Sequence, residues 1–533
     1  MLLISIRACS LAVVAGLATG AAAQSSWNNT NGGHWVDATN WNPQSVPNSI
    51  NTDVVIGVPG VYTVFLLDVF SVRNLTISNP DATVYTRDGR IVAYANLTID
   101  GTLRVSNPIS LYSAIAQISG DSLGGSGQIE LDGASFGSPS EAIAQLALNT
   151  AGGTTIGPNL TIRGRGYISG SFKNNGVITA DIPGKNLEML SSGPVSNGGL
   201  IEAAGGDLHW NVTNTIVQGA FGEIRADTST LVLDTAEITG GAVGSENGGK
   251  VIFDGNNSLN GVTLYGDVQT GDFPRITFNH DGVVRAATIA GRLSAFPNGR
   301  TANIGLGTNT SFTGGGSILL GAEIGSESQS ALSAGAGITS PVATISSGFT
   351  LLGTGTIYVP VVNAGTFQAG TENARGRMLI YNTRSFTNQA TGIVRLDLFS
   401  PANSGQIVSQ GPVALGGTLR VRIPAGSTIP SGASFDLISA PSITGNFTTL
   451  DLPSDRAWKV TKITGIGEQV IHLASACPAD FNHDGQVDDA DFLVFVVAYN
   501  NLEDTNGDLN EDDVTDDADF SIFVAAYDAL LCP

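Results

Sequence analysis

Positive charge, cysteine and long apolar runs are all scarce in this chain. Its 533 residues hold 24 Lys and Arg against 46 Asp and Glu, a formal net charge of −22. A surface of that sign repels a phosphate backbone, which argues against nucleic-acid binding. No stretch beyond the N-terminal segment offers the roughly 20 apolar residues without turn formers that a spanning helix requires. Only 13% of residues are charged, so groups able to do acid–base chemistry are few. Cysteine occurs at Cys9, Cys477 and Cys532 alone.

The first residues, MLLISIRACSLAVVAGLATGAAAQ, run from Arg7 through an apolar stretch to the small residues Ala21, Ala22 and Ala23. That order is the one found in secretory signal peptides, and residues 1–23 are expected to be removed by a cut after Ala23. The expectation is a secreted, extracellular or cell-surface protein with no membrane span. Cys9 leaves with the signal. Cys477 and Cys532 then bracket one short region, and in an oxidising compartment they are expected to pair as a disulfide. Closing a loop of that length stabilises by about 4 kcal/mol in the chain-entropy account.

Residues 24–396 are rich in Gly, Thr, Ser, Asn and Val. Short alternating runs recur between turn residues: YTVFLLD, NLTISNP, GQIELDG, TLVLDTAEITG and KVIFDG among them. Alternation over four to seven residues bounded by Gly, Asn or Asp predicts strands. Imperfect repeats run through the region. GRGYISGSFKNNGVITAD from Gly164 is similar to GTGTIYVPVVNAGTFQAG from Gly353, and SNGGLIEAAGG from Ser196 and NQATGIVRLD from Asn388 share the later half. Each combines an Asn/Gly turn with a short strand; Asn and Gly tolerate left-handed corners, and Asn can stack in ladders between coils. The pattern predicts a mainly β fold, a parallel β-helix (solenoid), with a string of β-sandwiches as the alternative. It resembles the loose repeats of secreted β-helix proteins, including passenger domains of autotransporter-like adhesins. Residues 397–476 carry longer strands and turn prolines, and predict a small antiparallel β-module closing the far end.

Trp27, Trp35 and Trp41 lie within fifteen residues at the start of the mature chain, three of only five tryptophans. They form either a platform for stacking sugar rings of an extracellular polysaccharide or a hydrophobic cap sealing the first coil. The phrase WNNTNGGHWVDATNWNPQSVPN resembles the opening of β-repeat proteins exported by planctomycete-like bacteria, which implies the cap.

Residues 477–533 hold fifteen of the acids and no Lys or Arg, and write one phrase twice: DFNHDGQVDDADFLVFVVAY and DLNEDDVTDDADFSIFVAAY. As twelve-residue loops they place Asp480, Asn482, Asp484, Gln486, Asp488 and Asp491, then Asp508, Asn510, Asp512, Val514, Asp516 and Asp519, at positions 1, 3, 5, 7, 9 and 12. Those positions supply the six to eight oxygens that Ca²⁺ requires, position 7 through its backbone carbonyl. Gly485 makes the turn at position 6 of the first loop; Asp513 takes that place in the second. Each loop leads into an apolar run, with Phe492, Phe495, Val496 and Tyr499, and Phe520, Phe523, Val524 and Tyr527, at i, i+3, i+4 and i+7. The reading is an all-α pair of loop–helix units that fold around two calcium ions.

Loop then helix, doubled and without a leading helix, resembles dockerin type I modules. The resemblance implies two Ca²⁺ and docking onto a protein partner, in that family a cohesin. Asp at position 12 matches the family. Asp489-Ala490 and Asp517-Ala518 stand at positions 10 and 11, where dockerins usually place Ser and Thr. Calcium binding therefore carries over, and cohesin recognition does not.

Catalytic chemistry has few candidates. Glu202, Asp207 and Asp234 are scattered acids, whereas glycoside hydrolysis requires two that converge. Arg163, Arg165, Lys173 and Lys185 form the densest basic stretch and are expected on a solvated face. His34, His209 and His280 lack metal-ligand spacing. The expectation is a non-catalytic scaffold or adhesin with a calcium-dependent docking module. The alternative is a polysaccharide-binding or polysaccharide-degrading β-helix protein, which requires acids or bases to meet on adjacent coils.

Overall fold

The protein is described by a computed structural model. It describes residues 23–533 except 88, 107–113, 134–142, 213, 272–274, 280–285, 290–291, 296–301, 309, 322–329, 431–432, 455–457, 476–478, 482–486, 501–506, 510–513 and 530–533. Cys477, Cys532, Asn482, Asp484, Gln486, Asn510, Asp512 and His280 lie outside the described residues.

The fold is mainly β, a large parallel sheet followed by two C-terminal helices. Its pairing repeats with a period of three strands. Val177–Ala180 pairs in parallel with Leu200–Ala204, and that strand with Glu223–Asp227 and then Ala242–Glu246. Phe172–Asn174 leads in the same way to Val195–Asn197 and Thr215–Gln218. Asn186–Ser191 leads to Asp207–Val212 and Thr230–Asp234. Parallel neighbours need a long crossover, and here the other two strands of each repeat provide it.

Alternation decides the faces. Val177, Leu200 and Glu202 are partly exposed, while Ile178, Ile201, Ile224 and Val243 are wholly buried. Because the register is kept from repeat to repeat, each buried side chain sits over its counterpart. One continuous core results, from Trp27 to Leu473. The parallel pairing continues well past Asp397: Ile393–Ser400 pairs with Thr418–Arg422, and that strand with Thr449–Asp451. The antiparallel part expected from residue 397 is confined mainly to Ser434–Ala440, Gln469–Ser475 and Trp458–Thr464.

The asparagines shared by the sequence repeats have one structural task. Asn174 donates to Asn197 Oδ1 at 2.9 Å, and Asn197 to Gln218 Oε1 at 3.2 Å. Asn363 donates to Asn388 Oδ1 at 2.7 Å. All five side chains are buried, stacked from one repeat to the next. Their side-chain amide groups also donate to backbone carbonyls, as Asn197 Nδ2 does to Glu223 O at 3.1 Å. Two places after Asn174, Asn197 and Asn363 stands a glycine that space requires: a Cβ at Gly365 would lie 2.3 Å from the Ser346 carbonyl oxygen.

Replacing Asn197 by Ala leaves the Gln218 and Glu223 oxygens without this donor inside the core. The expected loss is about 1–3 kcal/mol, the cost of unpaired buried polar groups. Urea unfolding followed by circular dichroism checks it, and an unchanged midpoint would show that the ladder carries no stability.

Candidate functional site

The three N-terminal indoles face inward. Trp27, Trp35 and Trp41 are 2%, 0% and 0% exposed. Trp35 and Trp41 meet edge to face at 4.7 Å, Trp27 and Trp41 at 5.1 Å, and Trp35 lies 5.4 Å from Phe70. Each indole N–H donates to a backbone carbonyl: Trp27 to Asn29, Trp35 to Pro47, Trp41 to Trp35. Protein occupies their faces, so the sugar-stacking expectation for Trp27, Trp35 and Trp41 is corrected. Their large apolar surface belongs instead to the core at the first repeat.

On the outward side of the sheet, register aligns Arg104, Glu130, Arg163, Thr179, Glu202, Arg225, Gly244 and Tyr265 in one column. Much of the body's scarce charge converges here. Arg104 reaches Asp132 at 2.9 Å and Arg165 reaches the same carboxylate at 3.1 Å, while Arg163 pairs with Asp181 at 2.5 Å. Arg225 lies among three glutamates, at 2.9 Å from Glu202, 3.5 Å from Glu246 and 3.9 Å from Glu223. The Tyr265 hydroxyl donates to Glu223. Its ring lies across Gly244, where a Cβ would come within 2.5 Å of it. Burial first, and the Glu223 carboxylate second, push the Tyr265 phenol well above its ordinary value.

The other sequence candidates stay apart. Asp207 accepts from the Thr230 amide of the next repeat at 2.9 Å, and Asp234 from the adjacent Thr235 hydroxyl at 2.7 Å. Lys173, Lys185, His34 and His209 are exposed on separate strands or turns. Sequence reasoning missed Asp397, an outward-register carboxylate whose side chain is only 1% exposed. It sits 3.2 Å from Arg395 and accepts from Gln368 at 3.2 Å. Burial raises its pKa. No periodicity marks it, because short antiparallel excursions at Ala374–Arg375 and Asn403–Ser404 lie beside its strand and its predecessor.

The C-terminal module is built twice. Helix α1 spans Asp489–Tyr499 and α2 spans Asp517–Ala529. Asp488 accepts from the Ala490 amide at 2.8 Å, and the Asp488 amide donates to Asp491 at 3.0 Å, a capping box. Asp516, Ala518 and Asp519 repeat this with 2.8 Å for both bonds. The expected position-12 ligands Asp491 and Asp519 are thus fully buried at helix N-termini, where negative charge is favoured. Asp480, expected at position 1, is also buried, while Asp488 and Asp516 are less so. Asp519 Oδ1 accepts from the Leu509 amide at 2.6 Å, which ties the second loop to its helix. Among the described residues no group of three or more acids or histidines is arranged around one point; most of both loops lies outside them.

The helices pack through Phe495 and Phe523, both buried, stacked at 4.8 Å and 3°. Phe492 and Phe520, expected on the packed faces, are 39% and 38% exposed. They lie at the rim, against Tyr527 and Tyr499 of the opposite helix. Leu493 and Val497 are each 68% exposed, and Ser521 and Ala525 hold the equivalent places on α2.

The chain matches no protein-family model, and no curated protein is similar to it. No helix among the described residues is long and apolar enough to cross a membrane.

One ion-pair group at the far end of the sheet titrates in a readable window. Arg422 and Arg420, each 2.7 Å from Asp451, hold its carboxyl down to about 2 from 3.8. A lowered folded value contributes stability above pH 3.8, lost as pH falls through about 2. Asp451→Asn should therefore lower the urea midpoint slightly at pH 7, and the difference from wild type should close between about pH 4 and 2. A difference independent of pH would assign the effect to packing.

Proposed function

We propose that this is a secreted, non-catalytic scaffold or adhesin: a β-helix body presented through a dockerin-like, calcium-dependent docking module. The observation that carries the proposal is the doubled loop–helix unit, with the same cap, the same buried acid and the same aromatic contact in each half. The expected donors are all oxygen, which suits a hard cation such as Ca²⁺. Asp480, Asn482, Asp484, the Gln486 carbonyl, Asp488 and Asp491 would hold one ion. Asp508, Asn510, Asp512, the Val514 carbonyl, Asp516 and Asp519 would hold the other. Bound calcium would offset the repulsion among these carboxylates and complete a small core that consists chiefly of Ala479, Val487, Phe495, Phe523 and Ala526. Cys477 and Cys532 would clasp the two ends. The exposed Leu493 and Val497, where α2 has Ser521 and Ala525, offer a protein partner an apolar face on α1.

Calorimetric titration of the chelator-treated full chain should show two calcium ions bound. Asp491→Ala and Asp519→Ala should each abolish or weaken one of the two events at least ten-fold. Wild-type protein that takes up no calcium would sink the reading.

A second reading, a polysaccharide-binding or polysaccharide-degrading body, rests on the convergence of Glu202, Glu223, Glu246, Arg225 and Tyr265 on adjacent strands. Convergence was what that reading required. These groups are engaged with one another, however, which favours a structural task. Incubation with a panel of plant and algal polysaccharides separates the two. Release of reducing or unsaturated ends that Glu223→Gln removes would establish the enzyme, and no release and no retention would leave the scaffold.

A further inference from the structure

The two halves of the C-terminal module exchange a side chain at each end. Tyr499, the last residue of α1, donates its hydroxyl to Asp517, the first residue of α2. Tyr527, near the end of α2, donates to Asp489, the first residue of α1. The Asp517 carboxylate raises the Tyr499 phenol, as expected for a neutral donor gripping an anion. Each tyrosine ring also lies against the rim phenylalanine of the other helix, Tyr499 on Phe520 at 5.7 Å and Tyr527 on Phe492 at 6.2 Å. The arrangement is the same read from either half.

Its position in the loops gives it a consequence. Asp489 directly follows Asp488 and lies one residue short of Ala490, whose amide Asp488 caps. Asp517 stands in the same place between Asp516 and Ala518. Each tyrosine therefore holds the first helical turn of the opposite unit, the turn that carries the position-9 and position-12 acids. Fixing that turn in one loop orients its helix, and through the shared Phe495–Phe523 stack the tyrosine at the far end of the partner helix.

We propose that Tyr499–Asp517 and Tyr527–Asp489 form a cross-brace that couples the two loops, so that calcium in one raises the affinity of the other. The inference rests on the calcium reading above. It assigns Asp489 and Asp517, the residues that depart from the dockerin pattern, an internal task. Coupling of this kind is reciprocal and commonly amounts to five-fold or more in affinity.

The test is calcium titration of the full chain by calorimetry, comparing wild type with Tyr499→Phe, Tyr527→Phe and the double variant. Phenylalanine keeps the ring contacts, and far-UV circular dichroism checks that the helices persist. Wild type should bind two ions with a Hill coefficient above 1, falling toward 1 in the double variant, with each single variant between. Asp489→Asn with Asp517→Asn keeps an oxygen acceptor and should retain cooperativity even if the variant lacking both hydroxyls fails to fold. Calcium uptake with the same cooperativity in wild type and the double variant overturns the brace and leaves the calcium reading standing. No uptake by wild type overturns both.

Discussion

Everything in the body depends on the parallel ladder between successive repeats. A strand of three to five residues has too little surface to persist alone, and its backbone groups need partners on both sides. Here each repeat provides those partners to the next, and the register is held with few shifts along the chain. Once register is fixed, the pleat fixes the rest. Inward residues stack into a core that is continuous from the N-terminal tryptophans to the antiparallel strands that follow. Outward residues stack into columns, which bring together side chains from distant places in the chain.

Those columns explain how a protein with so little charge uses it. Arg225 and Glu202, 23 residues apart in sequence, become neighbours, as do Arg104 and Asp132, 28 apart. The Arg104–Asp132 pair, more than a third exposed on both sides, contributes little to stability by itself. Both pairs do place opposite charges next to each other across a parallel ladder, where like charges would oppose the pairing. The C-terminal module follows the opposite policy. Its acids are not balanced by any Lys or Arg, and buried Asp491 and Asp519 sit instead where helix N-termini and backbone amides favour an anion.

Much of this was legible in the sequence because it is local. Alternation marked the strands, and the repeats isolated Asn174, Asn197, Asn363 and Asn388, the residues that stack inside the core. The i, i+3, i+4, i+7 spacing placed Phe495 and Phe523 correctly on the packed faces. It also placed Phe492 and Phe520 against the opposite helix, but at the rim of the contact, where burial is only partial. Which acids would meet was not legible. That depends on turn lengths between strands, and repeats here vary enough that neither Glu223 with Tyr265 nor Asp397 with Gln368 follows from spacing. The tryptophan cluster announced itself by composition, and only the direction of its side chains, into the core, argues against a platform.

The distinct ends have a consequence for how such a chain changes over time. Buried indoles stand at one end of the sheet and antiparallel strands at the other, while every repeat between them pairs chiefly with its immediate neighbours. Duplication or loss of a whole repeat would lengthen or shorten the body by a fixed increment without disturbing either end or the module that follows. The distance between the two ends is therefore an inheritable dimension, set by repeat number and free to drift independently of the chemistry at the C-terminus.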